Sequence, residues 1–311
     1  GHISRLAYFT TRKTDQELIK ITDGTLAPAI ITYGITNAGG TFNLRSTGTV
    51  DYAVDWDSTG GYEASTSNTL AHTYTAGNYD LVVYSDEVYR AYFNNVTADA
   101  AQITSVAIGS GANLGTSLSN AWRGAGNMTT FACPFSVTSS VTNFSQTWRD
   151  CSSLTSFPLL DTSSGTSLSY AWQNCASLTS FPLLNTSSGA SFSRAWQNCA
   201  SLTSFPLLNT SSGTSLSYAW QNCASLADFP ANMFDTTGTL VATAFTQAWL
   251  NCALTAQSIE NILVSLDTNG ATGITLDING GTNAAKTTWS AAAVTAYDNL
   301  IVKGWTISFN A

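Results

Sequence analysis

Apolar residues in the middle of the chain return at a fixed interval that spans several elements. Leu168, Ala171, Trp172 and Cys175 fall at i, i+3, i+4 and i+7. That spacing predicts one face of a two-turn helix, with Thr166 or Ser167 as N-cap and Tyr170, Gln173 and Asn174 toward water. The next stretch, Leu178-x-x-Phe181-x-Leu183-x-x-Thr186, predicts a short strand that turns Phe181 and Leu183 inward and leaves Ser180, Pro182 and Leu184 outward. A polar Asn-Thr-Ser-Ser-Gly run closes the unit. Residues 177–189 and 201–213 are identical, 153–165 differs from them only at Asp161, and Trp148, Trp172, Trp196 and Trp220 stand 24 residues apart. Trp122 and Trp249 mark degenerate outer members, so four to six rungs of strand, loop and short helix are expected.

One such rung cannot bury its own Trp, Phe and Leu, so neighbours must stack into a continuous core that needs a cap at each end. Pro158, Pro182 and Pro206 have no N–H to give a ladder, which leaves an extended, partly paired segment as the alternative to a full strand. Before the repeats, residues 42–44, 50–56, 70–74, 79–84 and 88–93 read as strands separated by Gly, Ser, Thr and Asn turns, a pattern that fits a small β-sandwich. After Cys252, Ile259, Ile262, Leu263 and Leu266 mark a helix ending before Asn269-Gly270. A strand at 274–278, a break at Gly280-Gly281, a helix at 287–302 and a closing strand at 305–309 follow. The expected fold class is therefore α/β: a leucine-rich-repeat-type solenoid with an N-terminal β-sandwich and a C-terminal α/β cap. The divisions are 1–27 as an N-terminal attachment segment, 28–100 as the sandwich, 101–252 as the repeats and 253–311 as the cap.

Charged residues make up only 10% of the chain against 44% hydrophobic, so Ser, Thr, Asn and Gly must cover much of the surface, as suits an extracellular or particle-borne protein. A net charge of −8 with 11 scattered basic residues argues against nucleic acid and anionic membranes as partners. No apolar run approaches the roughly 20 residues of a membrane span, so membrane insertion is not expected. Cys151, Cys175, Cys199 and Cys223 recur once per repeat, with Cys252 one lengthened repeat later. Placed on helices stacked about 10 Å apart, they lie beyond bridging distance and read as buried free thiols.

Catalytic sets are hard to assemble. The histidines are His2, beside Gly1 in a dipeptide that a tag would leave, and His72, in a strand-like His-Thr-Tyr that suits a structural role. Asp55 with Asp57, or Asp86 with Glu87, are read as turn or surface residues rather than as a glycosidase or calcium pair. Phosphate loops and zinc spacings are absent, and no catalytic residue, metal or cofactor is expected.

The unit Trp-x-x-Cys-x-Ser-Leu-x-x-Phe-Pro resembles the BspA-like leucine-rich repeats of bacterial surface proteins over roughly residues 114–252, where those repeats commonly carry Phe or Met in place of Trp. Asp55-Trp56-Asp57-Ser58-Thr59-Gly60, then His72-Thr73-Tyr74 and Gly77-Asn78-Tyr79, resemble the PKD-like pattern, with its Gly-Asp-Gly portion degraded. The combination, with Gly304-Trp-Thr-Ile307 near the end, also looks like bacteriophage tail-fibre and virion proteins. What the resemblance implies is attachment: a non-catalytic virion or extracellular adhesin for a host-surface glycan or protein, its residues 1–27 meeting virion or tail proteins. A secreted bacterial adhesin, and a spacer or decoration protein without a ligand, are the alternatives. A homo-oligomer is compatible with each.

Two faces are candidates for contact. Ser156, Pro158, Leu160, Ser180, Pro182, Leu184, Ser204, Pro206 and Leu208 form charge-free columns on the expected concave face, and regular outward leucine implies contact with a ligand or, as the alternative, cover by a neighbouring loop or a dimer partner. Tyr170, Gln173, Arg194, Gln197, Tyr218 and Gln221 form a second stripe whose rings and amides suit sugars.

Overall fold

A computed structural model describes residues 29–47, 52–57, 62–65, 67–85, 88–93 and 97–311. The expected attachment segment at 1–27 and the pair Asp86 and Glu87 lie outside these residues. The first half is built on a six-stranded sheet in the order β3-β2-β4-β1-β5-β6. Its strands are β1 (Ala29–Arg45), β2 (Tyr52–Asp55), β3 (Tyr62–Ser65), β4 (Thr69–Tyr84), β5 (Ile103–Ile108) and β6 (Thr130–Ala132), and a short helix α1 (Thr97–Ala100) precedes β5. β1 and β4 run antiparallel over almost their full length, whereas β6 joins β5 in parallel. Period-two patterning accounts for the dry face of Ile31, Tyr33 and Ile35 of β1 with Leu81 and Val83 of β4, and the parity changes past Gly39 and Gly40, both at positive φ, after which Phe42 and Leu44 are the buried residues.

Among the described residues the expected β-sandwich is not formed: every named strand of this half belongs to the one sheet. Residues 88–93, expected as a strand, make only isolated bridges at Val88 and Ala91. Their backbone is shared between two neighbours, with Tyr92 N–H donating to the Arg45 carbonyl and Tyr89 N–H to that of Asn113. The sheet is covered instead by this segment, where Phe93 packs against Tyr33 and Phe42 with ring centroids 6.0 and 6.1 Å away. Arg45 and Asp99 add a pair at 3.2 Å, and Asp99 also accepts from the backbone N–H of Asn43.

The repeats stack, but not as strand, loop and helix. Between residues 139 and 255 neither an α-helix nor a named strand forms. Backbone donors alternate in their destination: Ala171, Gln173 and Cys175 give their N–H to the carbonyls of Leu168, Tyr170 and Trp172, while Leu168, Tyr170, Trp172 and Asn174 give theirs to Ser191, Ser193, Ala195 and Gln197 in the next rung. An α-helix needs every one of these donors for itself. Two residues per rung are also left-handed, Tyr170, Arg194 and Tyr218 at φ 59, 56 and 60° and Asn174, Asn198 and Asn222 at 64, 62 and 60°, which no α-helix tolerates. The leucine-rich-repeat-type solenoid is therefore corrected to a mixed α/β protein, with one mixed sheet, three α-helices among the described residues and a column of turn-built rungs between them.

What fills the column is aromatic. Trp122, Trp148, Trp172, Trp196, Trp220 and Trp249 are buried and stacked, successive centroids being 6.0, 5.4, 5.6, 5.6 and 5.0 Å apart. A second stack, Phe131, Phe157, Phe181, Phe205 and Phe229, runs beside it at 5.8 to 6.0 Å and meets the indoles edge to face. Offset and edge contacts of this kind add about 0.5–1.5 kcal/mol per pair to the burial of the rings.

The chain closes with α2 (Ala256–Asn269), β7 (Thr275–Ile278), α3 (Ala291–Val302) and β8 (Thr306–Phe309). Thr255 and Ser290 cap the two helices by accepting from the backbone N–H groups of Ser258 and Ala293, and Gly270, at φ 80°, ends α2 in the left-handed region. β7 is parallel to β8, and Trp249 N–H of the last rung donates to Asp277 of β7. Ile259, Ile262, Leu263 and Leu266 of α2 are buried, so the end of the aromatic column is sealed from water.

Candidate binding surface

The Ser-Phe-Pro-Leu-Leu segments supply the edge of each rung. Phe181 turns inward and Ser180 outward as alternation requires, but the period breaks at proline. Leu184 N–H donates to the Pro182 carbonyl at 3.0 Å, a three-residue turn with Leu183 at its apex. Leu183 is thereby thrown outward at 62% exposure, and Leu184 returns to the core at 2%. The other rungs share this parity: Leu159 and Leu207 are about half exposed, whereas Leu160 and Leu208 are buried. The outward column expected at Leu160, Leu184 and Leu208 is thus displaced by one residue, to Leu159, Leu183 and Leu207.

Phe135 is also 51% exposed, but it lies outside this column: the preceding rung is lengthened, Phe131 stacking on Phe157, and the Phe135 carbonyl accepts from the Asp161 N–H. Ser156, Ser180 and Ser204 are exposed beside the leucines, with Thr155, Thr179 and Thr203, and Pro158, Pro182 and Pro206 are half-buried. The Thr179 backbone N–H donates to the Thr155 carbonyl at 3.2 Å and that of Thr203 to Thr179 at 3.3 Å, so one rung's pitch carries directly into the spacing of the surface groups. The result is an apolar ridge of Leu159, Leu183 and Leu207 flanked by hydroxyls.

The second stripe is engaged with itself. Arg194 Nη1 donates to the Tyr170 hydroxyl at 2.8 Å, and its guanidinium lies 4.5 Å from the centre of the Tyr218 ring and 5.4 Å from that of Tyr170. The Gln173 amide donates to Gln197, Gln197 to Gln221, and Gln221 to Gln247. Asn198 donates to Asn174 at 2.6 Å and Asn222 to Asn198 at 2.8 Å. Rings and amides that would face a sugar are here committed to the neighbouring rung, and the stripe works as a ladder that fixes register.

Cys151, Cys175, Cys199, Cys223 and Cys252 are buried and free. The helix separation expected of these cysteines is not what keeps them apart, since the rungs lie 5 to 6 Å apart at their tryptophans. Each thiol instead donates to the tryptophan carbonyl of the preceding rung. Burial pushes the Cys223 thiol up to about 12 and those of Cys175, Cys199 and Cys252 well above the ordinary range. Among the described residues no three acidic, histidine or cysteine side chains cluster as metal ligands. His72 is stacked on Trp56 at 4.9 Å, and the Trp56 carbonyl accepts from the Tyr74 hydroxyl, which gives the His-x-Tyr pattern a packing role.

A recess of about 250 Å³ lies where the last Phe-Pro edge meets α2, lined by Asp228, Phe229, Pro230, Gln257, Ser258 and Asn261 among others. Sequence reasoning missed it because its walls come from two distant segments. One signal was available: the unit's Thr-Ser becomes Ala227-Asp228 here, placing a carboxylate where Ser156, Ser180 and Ser204 stand in the earlier rungs. No family model matches the chain, and comparisons with curated proteins and with solved structures give no match.

Proposed function

We propose that this protein is a non-catalytic attachment protein, borne on a virion or tail fibre, that recognises a host-surface glycan or protein along the ridge of Leu159, Leu183 and Leu207. The observation that carries the reading is the exposure of three leucine side chains, one per rung, at the repeat interval, an arrangement that costs solubility unless something covers it. Equal spacing allows several weak contacts to act together, which multiplies affinity without any single tight pocket. The virion setting rests on the likeness of the repeats and of the Trp-His-Tyr region to phage and surface proteins. The self-engaged Tyr, Arg and Gln stripe favours the leucine ridge over the opposite face.

Binding of the purified chain to candidate host cells, compared with a Leu183→Asp, Leu207→Asp double variant, tests this. Loss of binding by a variant that still unfolds cooperatively supports the ridge. Undiminished binding rejects it, and an absence of binding by the unaltered chain to any host cell favours a spacer.

A further inference from the structure

The recess beside α2 has the chemistry of a ligand site rather than of a packing defect. Pro230 and the edges of Phe205 and Phe229 make an apolar wall, and the polar side is contributed by Asp228, Gln257 and Asn261. Two of these are already partly spent, since Asn261 Nδ2 donates to the Phe229 carbonyl at 2.8 Å and Gln257 Nε2 to Asn261 Oδ1 at 3.1 Å. What remains is two acceptors, the exposed Asp228 carboxylate, which no described residue engages, and Gln257 Oε1, together with the second N–H of each of the Gln257 and Asn261 amides. A complementary ligand therefore brings groups that both donate and accept, such as hydroxyls, on one side and a C–H face on the other.

We infer that this recess binds one ring of a neutral sugar, with adjacent hydroxyls donating to Asp228 and the ring's C–H face against Pro230. The volume, just below the usual range for larger small-molecule pockets, fits a single ring. An anionic sugar is disfavoured by Asp228 and by the chain's charge of −8. Asp228 is bridged in parallel to Ser204 and continues the line of Ser180 and Ser156, so the rest of a glycan chain runs from the recess along these hydroxyls. This deepens the attachment reading and rests on it, naming a neutral glycan as what the surface recognises.

The test is calorimetric titration of the full chain with methyl glycosides of glucose, galactose and mannose, their unbranched neutral oligosaccharides, and the corresponding uronic acids. Asp228→Ser is the variant of choice because earlier rungs carry serine there, and Asp228→Asn, which keeps the shape, is the second. At least one neutral series binds, the oligosaccharide more tightly than the monosaccharide, and its uronic acid at least about tenfold more weakly. Either variant weakens binding roughly ten- to hundredfold, the range for losing a charge-assisted hydrogen bond. No heat with any neutral sugar, or equal affinity in both variants, overturns the inference. The two readings fail separately. If Asp228→Ser leaves host-cell binding intact while the double leucine variant loses it, the recess is wrong and the ridge stands. Sugar binding that needs Asp228 in a chain that attaches to no cell leaves the recess and removes the attachment role.

Discussion

The Cys175 thiol donates to the main-chain carbonyl of Trp148 over 3.2 Å, and the same bond links Cys199 to Trp172 and Cys223 to Trp196. Each thiol ties the end of one rung's turn to the middle of the rung before it. A side chain small enough to fit beside an indole, yet able to donate one hydrogen bond, satisfies both demands, which accounts for cysteine in a column that forms no bridges.

Alkylation follows from this placement. Iodoacetamide applied to the native protein modifies half-buried Cys133 before the five column thiols, and all six react once denaturant is added; mass spectrometry counts the adducts. Rapid native labelling of Cys199 would show that the column opens.

The same thiols set the alkaline limit. Burial raises the Cys223 value from 9.0 to about 12, so between these values the unfolded chain loses a proton that the folded one keeps. Stability from this source is complete below about pH 9 and declines as pH rises toward 12. Urea midpoints at pH 8, 9, 10 and 11 are expected to fall steadily from the second onward, and replacing Cys223 with Ala flattens part of that slope.

Removing a column indole tests the stack. Trp196→Ala is expected to cost about 3–5 kcal/mol, read by urea unfolding. Trp196→Phe should cost clearly less than its lost volume suggests, because the buried indole N–H of Trp196 has no hydrogen-bond partner among the described residues and the phenyl ring removes that unsatisfied group.

Neighbouring leucines are expected to behave oppositely. Leu184→Ala, at a buried position, should lose about 2–5 kcal/mol, whereas Leu183→Ala stays within about 0.5 kcal/mol of the unaltered protein. Equal losses at the two positions would contradict the turn at Pro182.

Asn198 carries both a left-handed backbone at φ 62° and a rung of the amide ladder. Asn198→Ala is expected to destabilise by about 1–2 kcal/mol from the backbone alone, and Asn198→Gly by less than Asn198→Ala, since glycine relieves that strain while losing the same amide. Thermal unfolding of the two variants ranks them.

The equal intervals between Trp148, Trp172, Trp196 and Trp220 determined that the repeats stack and that indole, phenyl and thiol share a dry interior, because residues one period apart have nowhere else to bury. The helix at Ala256–Asn269 was also legible, since its apolar spacing and terminating glycine are local features of one continuous segment. What the backbone does inside a rung was not. Leu168, Ala171, Trp172 and Cys175 have helical spacing, yet half of the donors in that turn are captured by carbonyls 23 residues away, and a local pattern says nothing about acceptors that arrive only on stacking. Tertiary structure alone likewise decided that Leu183 rather than Leu184 meets solvent, that the N-terminal strands make one sheet, and that Asp228 shares a recess with Gln257 and Asn261. Side-chain period is written along the chain, whereas hydrogen-bond partners are chosen across it.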